Sequence, residues 1–550
     1  MQTLRTIAQG ELIGQVADNG ALVWRGIPYA QPPVGELRWK PPRPPLPWRG
    51  RLDAIKDGNA CFQSLHLAPP FIDEDGDGFI GSEDCLYLNI FAPTDSTSGD
   101  RLPVMYYLPG GGNVGGHNAS PAYDGSVLAQ THRVIVVTVN YRLGMMGWFM
   151  HPALAAGSNS AIERSGNWGT LDTIRGLEWV RDNIGAFGGD LSNVTIFGES
   201  AGGTNVFSLV LSPLARGLFQ QAISQSGALL EMPLTTALNY ADDEVPGLPN
   251  SGPEVVNAIL IRDGQAKDRA AAKALQSAMS AAQIRQLLYS QTPAQLHHIV
   301  NPSGARLYPA PRLFSDGAVL PDVPALQIFA SGRFNRVPLI IGTNRDERRL
   351  YQLLEPSWQK VLKECPQDYM SYAAYGSLAW KQRHVDDVAR AMAGAGHDAL
   401  YIYRFDWDEE GIIHGMDFST AVGAGHTVEI PFVFGQWNSL LVPLGDCDEP
   451  QRRALSASVM SYWAQMAYTG TPGKGRSGTE IEWKQWNNTA GKEKMILFDS
   501  ATDGGIRMSC EEVTAQSLKT ALVNDKSFKD RQLQSTLFKA LFPEEENKGA

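Results

Sequence analysis

Cysteine is scarce: Cys61, Cys85, Cys365, Cys447 and Cys510 are too few and too scattered in 550 residues for a disulfide-built scaffold. None stands in the CxxC-like spacing that holds zinc, so a metal bound through sulfur is not expected. Positive charge is also short. Against 58 Asp and Glu there are 47 Lys and Arg, a net charge of -11. Such a chain offers no basic face for a phosphate backbone, which excludes nucleic acid as a partner. There is no apolar run of about 18 residues, and the tail Phe542-Pro543-Glu544-Glu545-Glu546 is polar, so neither a membrane span nor a tail anchor is expected. The opening MQTLRTIAQGEL lacks the apolar core of a secretory signal, which leaves two readings: the protein stays inside the cell, or a leader has been replaced by Met. No internal repeat or long low-complexity linker occurs.

What is present is the composition of an ordinary globular protein, 43% hydrophobic and 19% charged. Apolar β-branched runs predict strands at Val104–Leu108, Val134–Val139, Val194–Phe197, Val337–Ile341 and Leu400–Phe405. Between them, Leu171, Ile174, Leu177, Val180 and Ile184 keep the spacing of one helix face, and a long helix is expected from Gln451 to Tyr468. This alternation predicts a mostly parallel sheet covered by helices on both sides. The Ala-rich stretch Asp268–Leu288 and the polar segment Asn239–Pro253 interrupt the rhythm and read as a cap.

Gly198-Glu199-Ser200-Ala201-Gly202 fits G-x-S-x-G, with an apolar strand before it and a small-residue helix start after it, so Ser200 reads as a nucleophile on a strand-to-helix turn. A serine hydroxyl needs a histidine base, and the base needs a carboxylate. In such a fold the chain order is Ser, then Asp or Glu, then His. His414 and His426 are the late candidates, with His384 and His397 set aside because they lie in polar, helix-like stretches. The acid is open among Asp346, Glu347 and Glu355. Gly110-Gly111-Gly112, directly after the strand ending at Leu108, can turn backbone amides toward a developing oxyanion, whereas Gly115-Gly116 reads as a flexible turn.

At this point the chain resembles the type-B carboxylesterases, the α/β-hydrolases that include carboxylesterases, cholinesterases and some fungal lipases. The likeness runs from Gly10 to about Trp486. It is carried by Gly26-Ile27-Pro28-Tyr29-Ala30, Glu83-Asp84-Cys85-Leu86-Tyr87-Leu88-Asn89, Asn140-Tyr141-Arg142 and Phe187-Gly188-Gly189-Asp190, by Gly198 to Gly203, by Gly342-Thr343-Asn344-Arg345-Asp346-Glu347, and by His426 with Glu429. The resemblance implies one α/β-hydrolase domain over 1–550 with cap-like insertions at about 230–335 and 350–425. It implies Ser200 as nucleophile, Glu347 as acid, His426 as base, and the amides of Gly111, Gly112 and Ala201 as the oxyanion hole. Glu199 and Ser226 become supporting groups near the histidine, Arg38 and Glu83 a structural ion pair, and Cys61–Cys85 a disulfide. That bridge points to an oxidising compartment, and so toward a secreted or periplasmic protein that has lost a leader.

Departures are visible as well. Pro109 stands where many members have histidine, Asn113 where an aromatic is common, and Arg348-Arg349 where glycine usually follows the acid. The loop closed by the cysteines contains Phe62, Phe71 and Phe79 but no tryptophan, which disfavours a choline ester, held in relatives by cation–π attraction. Asp73-Glu74-Asp75-Gly76-Asp77-Gly78, with Ile80 and Asp84, echoes a calcium loop, but lacks the terminal glutamate and flanking helices and reads as a solvated acidic loop. The sequons at Asn118, Asn193 and Asn487 read as chance matches.

The expected chemistry is hydrolysis of a carboxylic ester through an acyl-enzyme, needing no cofactor or metal, with a small-molecule ester as partner. The activity is expected to rise through one ionisation near 6–7, burial and the neighbouring carboxylate offsetting each other on the histidine. The rivals are a lipase with a mobile lid and a non-catalytic adhesion or scaffold protein.

Overall fold

Strands that are buried from end to end, such as Leu102–Leu108 and Ile135–Val139, have no polar face to give to water, and they occupy the middle of an 11-stranded sheet. The computed structural model describes residues 2–64, 78–303, 313–437 and 449–543. In chain order the sheet's strands are β1 (Gln15–Val16), β2 (Leu22–Pro28), β3 (Tyr87–Ala92), β4 (Leu102–Leu108), β5 (Ile135–Val139), β6 (Gly189–Glu199), β7 (Gln221–Gln225), β8 (Leu339–Asn344), β9 (Leu400–Phe405), β10 (Met495–Phe498) and β11 (Arg507–Ser509). Their spatial order is β1-β2-β3-β5-β4-β6-β7-β8-β9-β10-β11. From β5 through β10 neighbours are parallel, while β1, β2, β3 and β11 add antiparallel edges.

Helices cover both faces, as the alternating pattern requires. Helix α1 (Trp168–Asn183) buries Leu171, Ile174, Leu177 and Val180, the face read from its spacing. It comes so close that a Cβ on Gly176 would lie 2.1 Å from the Tyr106 hydroxyl of β4. Asp172 of α1 is fully buried and grips Arg142 through two 2.8 Å bonds, which explains the Asn140-Tyr141-Arg142 motif as a charge pair tying the chain after β5 to α1. The strand expected from Val337 begins only at Leu339, because Pro338 has no N–H for a ladder and Val337 instead turns back on the Asn335 carbonyl. The Ala-rich stretch forms two helices, α3 (Arg269–Ala278) and α4 (Ala281–Tyr289), and Asn239–Pro253 is mostly turn. No helix among the described residues is long and apolar enough to cross a membrane.

Cys61 and Cys85 are joined across a sequence separation of 24. Beside them Arg38 Nε donates to Glu83 at 2.6 Å, the ion pair expected from the resemblance. Phe62 stacks on Phe79 at 5.0 Å, whereas Phe71, Cys447 and the acidic run Asp73–Asp77 lie outside the described residues. Asp84 accepts from the Tyr87 hydroxyl at 2.9 Å. Asn118 is buried with its amide on the Thr138 carbonyl, as befits a chance sequon.

Candidate active site

Ser200 is the single residue between β6 and helix α2 (Ala201–Leu211), and its backbone sits at φ 60° and ψ −122°, a conformation costly for any residue with a side chain. Three contacts hold it there. Its N–H donates to Gln225 at the end of β7, its carbonyl accepts from Thr204 in the first turn of α2, and glycines flank it at the tightest points. A Cβ on Gly202 would stand 1.9 Å from the Leu108 carbonyl oxygen, and one on Gly198 2.6 Å from the Gly202 carbonyl carbon. The hydroxyl is thereby lifted off the carboxyl end of the sheet.

His426 lies 226 residues further along, and its Nε2 meets Ser200 Oγ at 2.7 Å. Its Nδ1 meets Glu347 Oε2 at 2.5 Å. Glu347 opens helix α5 (Glu347–Leu354) just after β8 and is fully buried. Its other oxygen accepts from Ser226 Oγ at 2.6 Å, Thr343 Oγ1 at 2.7 Å and the Asn344 amide at 2.7 Å. Burial alone would raise this carboxyl, but the His426 charge and these hydrogen bonds outweigh it and hold Glu347 below the usual carboxylate range. The loop carrying His426 is itself fastened. Asn344 donates to the Gly425 carbonyl and to Glu429, both at 2.7 Å, and Asp346 accepts from the Ala424 amide at 3.2 Å. Glu429 also accepts from Gln225 at 3.2 Å.

Gly111 at φ 108° and Gly112 at φ 64° turn the loop after β4 in a way open to glycine alone. Among the described residues nothing accepts a hydrogen bond from the amides of Gly111, Gly112 or Ala201. These three N–H groups belong to the two loops that meet at Ser200, since a Cβ on the adjoining Gly110 would be 3.1 Å from Ser200 Cβ. Asn113, where an aromatic was the family habit, is buried and bonded to Asn205 at 2.9 Å.

The charges around His426 do not cancel as the sequence led one to expect. Burial pushes the imidazole down, but Glu199 and Glu347 push it up and win, raising it to about 9. Glu199 Oε1 stands 3.3 Å from His426 Nε2, and the Glu199 carboxyl is raised well above its usual range by burial first, then by Glu429 and Glu347. Glu199 thus raises His426, while a charged His426 pulls Glu199 back down.

His414 is exposed in the turn between Ile412–Ile413 and Met416–Asp417 and takes no part. His384, set aside as part of a polar helix, is instead beside the site. Helix α6 (Pro366–Lys381) continues into a π-helical turn, Gln382–Asp386, and brings Trp380 and His384 together at 5.0 Å, with the Trp380 ring 6.0 Å from that of His426. Tyr351 of α5 packs its ring 5.2 Å from His426. No motif marks these aromatics in the sequence. Of the described residues, Asp408, Glu409 and Asp503 alone bring three carboxylates within 4.8 Å, and no hydrogen bond links them to Ser200, Glu347 or His426.

Comparison with known proteins agrees with this architecture. Residues 2–382 match the model of the carboxylesterase family. The para-nitrobenzyl esterase of Bacillus subtilis (strain 168) is 35% identical over 520 residues, covering 90% of this chain and 95% of that protein. The fumonisin B1 esterase of Sphingopyxis macrogoltabida is 39% identical over 515 residues, covering 87% and 84%. A solved carboxylesterase of Geobacillus stearothermophilus superposes with a TM-score of 0.69 at 29% identity, covering 92% of this chain and 98% of that one, and the fold is accordingly the α/β-hydrolase fold.

Proposed function

The chain belongs to the carboxylesterase family and is a hydrolase of carboxylic esters, and from that premise we propose that it works through a Ser200–His426–Glu347 triad and an acyl-enzyme. The observation that supports this most is the hydrogen-bonded line from Ser200 through His426 to Glu347. His426 takes the Ser200 proton as Oγ attacks the ester carbonyl, and Glu347 holds the ring with Nε2 toward the serine. The amides of Gly111, Gly112 and Ala201 receive the oxyanion. His426 then gives its proton to the leaving alcohol, and water repeats the path to release the acid. In this reading the segments 230–335 and 350–425 are caps that shape the pocket over one domain.

Ser200→Ala and His426→Ala are each expected to lose about 10⁴-fold or more in kcat on a nitrophenyl ester series, while His414→Ala keeps most activity. Full turnover in folded Ser200→Ala would sink the mechanism. A jump in rate at an oil interface, absent with soluble short-chain esters, would instead favour a lidded lipase.

A further inference from the structure

A cavity of about 230 Å³ lies between α6, its π-helical turn and the C-terminal helix α7 (Arg531–Leu541), lined among others by Arg348, Trp380, Arg383, His384, Leu537 and Leu541. Among the described residues no acidic side chain lines it, although acids outnumber bases in the chain as a whole. Arg348 is the residue directly after Glu347. Its stem crosses Gly376 so closely that a Cβ there would come within 2.7 Å of it, and its guanidinium reaches the Tyr351 ring at 5.5 Å. Among the described residues neither Arg348 nor Arg383 is paired with a carboxylate; Arg383 donates only to the Leu541 carbonyl, at 2.6 Å. Trp380 adds a buried indole N–H with no acceptor. His384 accepts from the Leu229 amide through Nδ1 at 3.3 Å, and burial together with Arg383 lowers it to about 4, so the neutral ring keeps its proton on Nε2.

The side chains of this cavity thus bring two guanidinium groups and an indole N–H with no carboxylate among the described residues, and the cavity is next to the reaction centre. Trp380 faces His426 at 6.0 Å, and Arg348 lies one aromatic ring away from it through Tyr351. A buried donor without an acceptor is costly unless something that can accept from it enters, and the guanidinium groups of half-buried Arg348 and exposed Arg383 favour an anion for that place. The volume is below the roughly 300–1,000 Å³ of a pocket for a whole drug-sized ligand, and suits one short arm. We propose that the cavity is an anion subsite that receives a free carboxylate carried by the ester substrate, so that the preferred substrates are esters of this charge class. The inference rests on the ester-hydrolase reading above and names the substrate class for it.

The test compares kcat/KM for charged and neutral esters of matched length: monobutyl glutarate against butyl valerate for a carboxylate on the acyl limb, and 4-acetoxybutanoate against butyl acetate for one on the alcohol limb. The wild type should favour the charged member of at least one pair. In Arg348→Gln, Arg383→Gln and the double variant, that charged-to-neutral ratio should fall on the order of 10-fold or more, the scale of a hydrogen bond to an ion. A ratio within twofold of wild type in the double variant overturns the subsite. Because the ratio is read in enzyme that still hydrolyses the neutral ester, its failure differs from failure of the triad, which Ser200→Ala reports separately. If Arg348→Gln does not fold, exposed Arg383→Gln alone reads the same ratio.

Discussion

On the proposed triad, the charge on His426 decides the pH at which Ser200 can be activated. A base must be neutral to accept a proton, and nearby carboxylates stabilise its charged form, so the activity limb moves to higher pH. With His426 raised to about 9, kcat/KM is expected to climb with a midpoint clearly above the ordinary 6.5 of histidine, rather than near 6–7 as its sequence neighbours suggest. Removing one negative charge in Glu199→Gln should lower that midpoint; a pH profile identical to wild type would count against the coupling. Of the proposed triad, Ser200 was read from its own local motif, whereas only the resemblance separated Glu347 from Asp346 and Glu355, or His426 from His414. Tyr351, Trp380 and His384 were not legible. Their closeness to His426 is made by α6 folding back over α5, a long-range event that leaves no local pattern.

Among the elements, the β6–α2 turn is tightly constrained. The Leu108 carbonyl is the last of β4 and leads into the glycine loop, so a methyl group at Gly202 pushes the Ser200 turn and the proposed oxyanion loop apart together. Gly202→Ala should cost about 1–3 kcal/mol by urea unfolding and reduce kcat at least tenfold. Gly185→Ala, where nothing lies within 4 Å of the added carbon, is the control and should change neither. Equal behaviour of the two variants would refute the steric account. Elements of this kind were readable because buried parallel strands are continuous apolar runs, and Leu400–Phe405 has the limits expected of it. Their ends were less readable where proline intervenes, as at Pro338. Not every strand was picked out: β2, β3, β7 and β10 were passed over, as were the short edge strands β1 and β11, only two and three residues long with no fully buried position.

At the level of the whole molecule, the disulfide restrains the segment that leads from the first strands into β3. Closing a loop of this length limits the unfolded chain more than the folded one, and reduction or Cys61→Ser is expected to lower unfolding free energy by about 2–4 kcal/mol. Urea curves with and without reductant measure it, and coincident midpoints would show that the bridge adds nothing. The mostly parallel, doubly covered sheet could be foreseen from alternation alone. The caps could be placed only as interruptions, because their packing depends on side chains far apart in the chain. That distance has a further consequence in time. Ser200 and His426 are separated by 226 residues, so at a synthesis rate of about 5–20 residues per second the ribosome delivers the serine roughly 10–45 s before the histidine. On the proposed assignment, the nascent chain carries its nucleophile through that interval without a base, and hydrolytic power arrives late, when the strands that position Glu347 and the loop that bears His426 have closed over the turn.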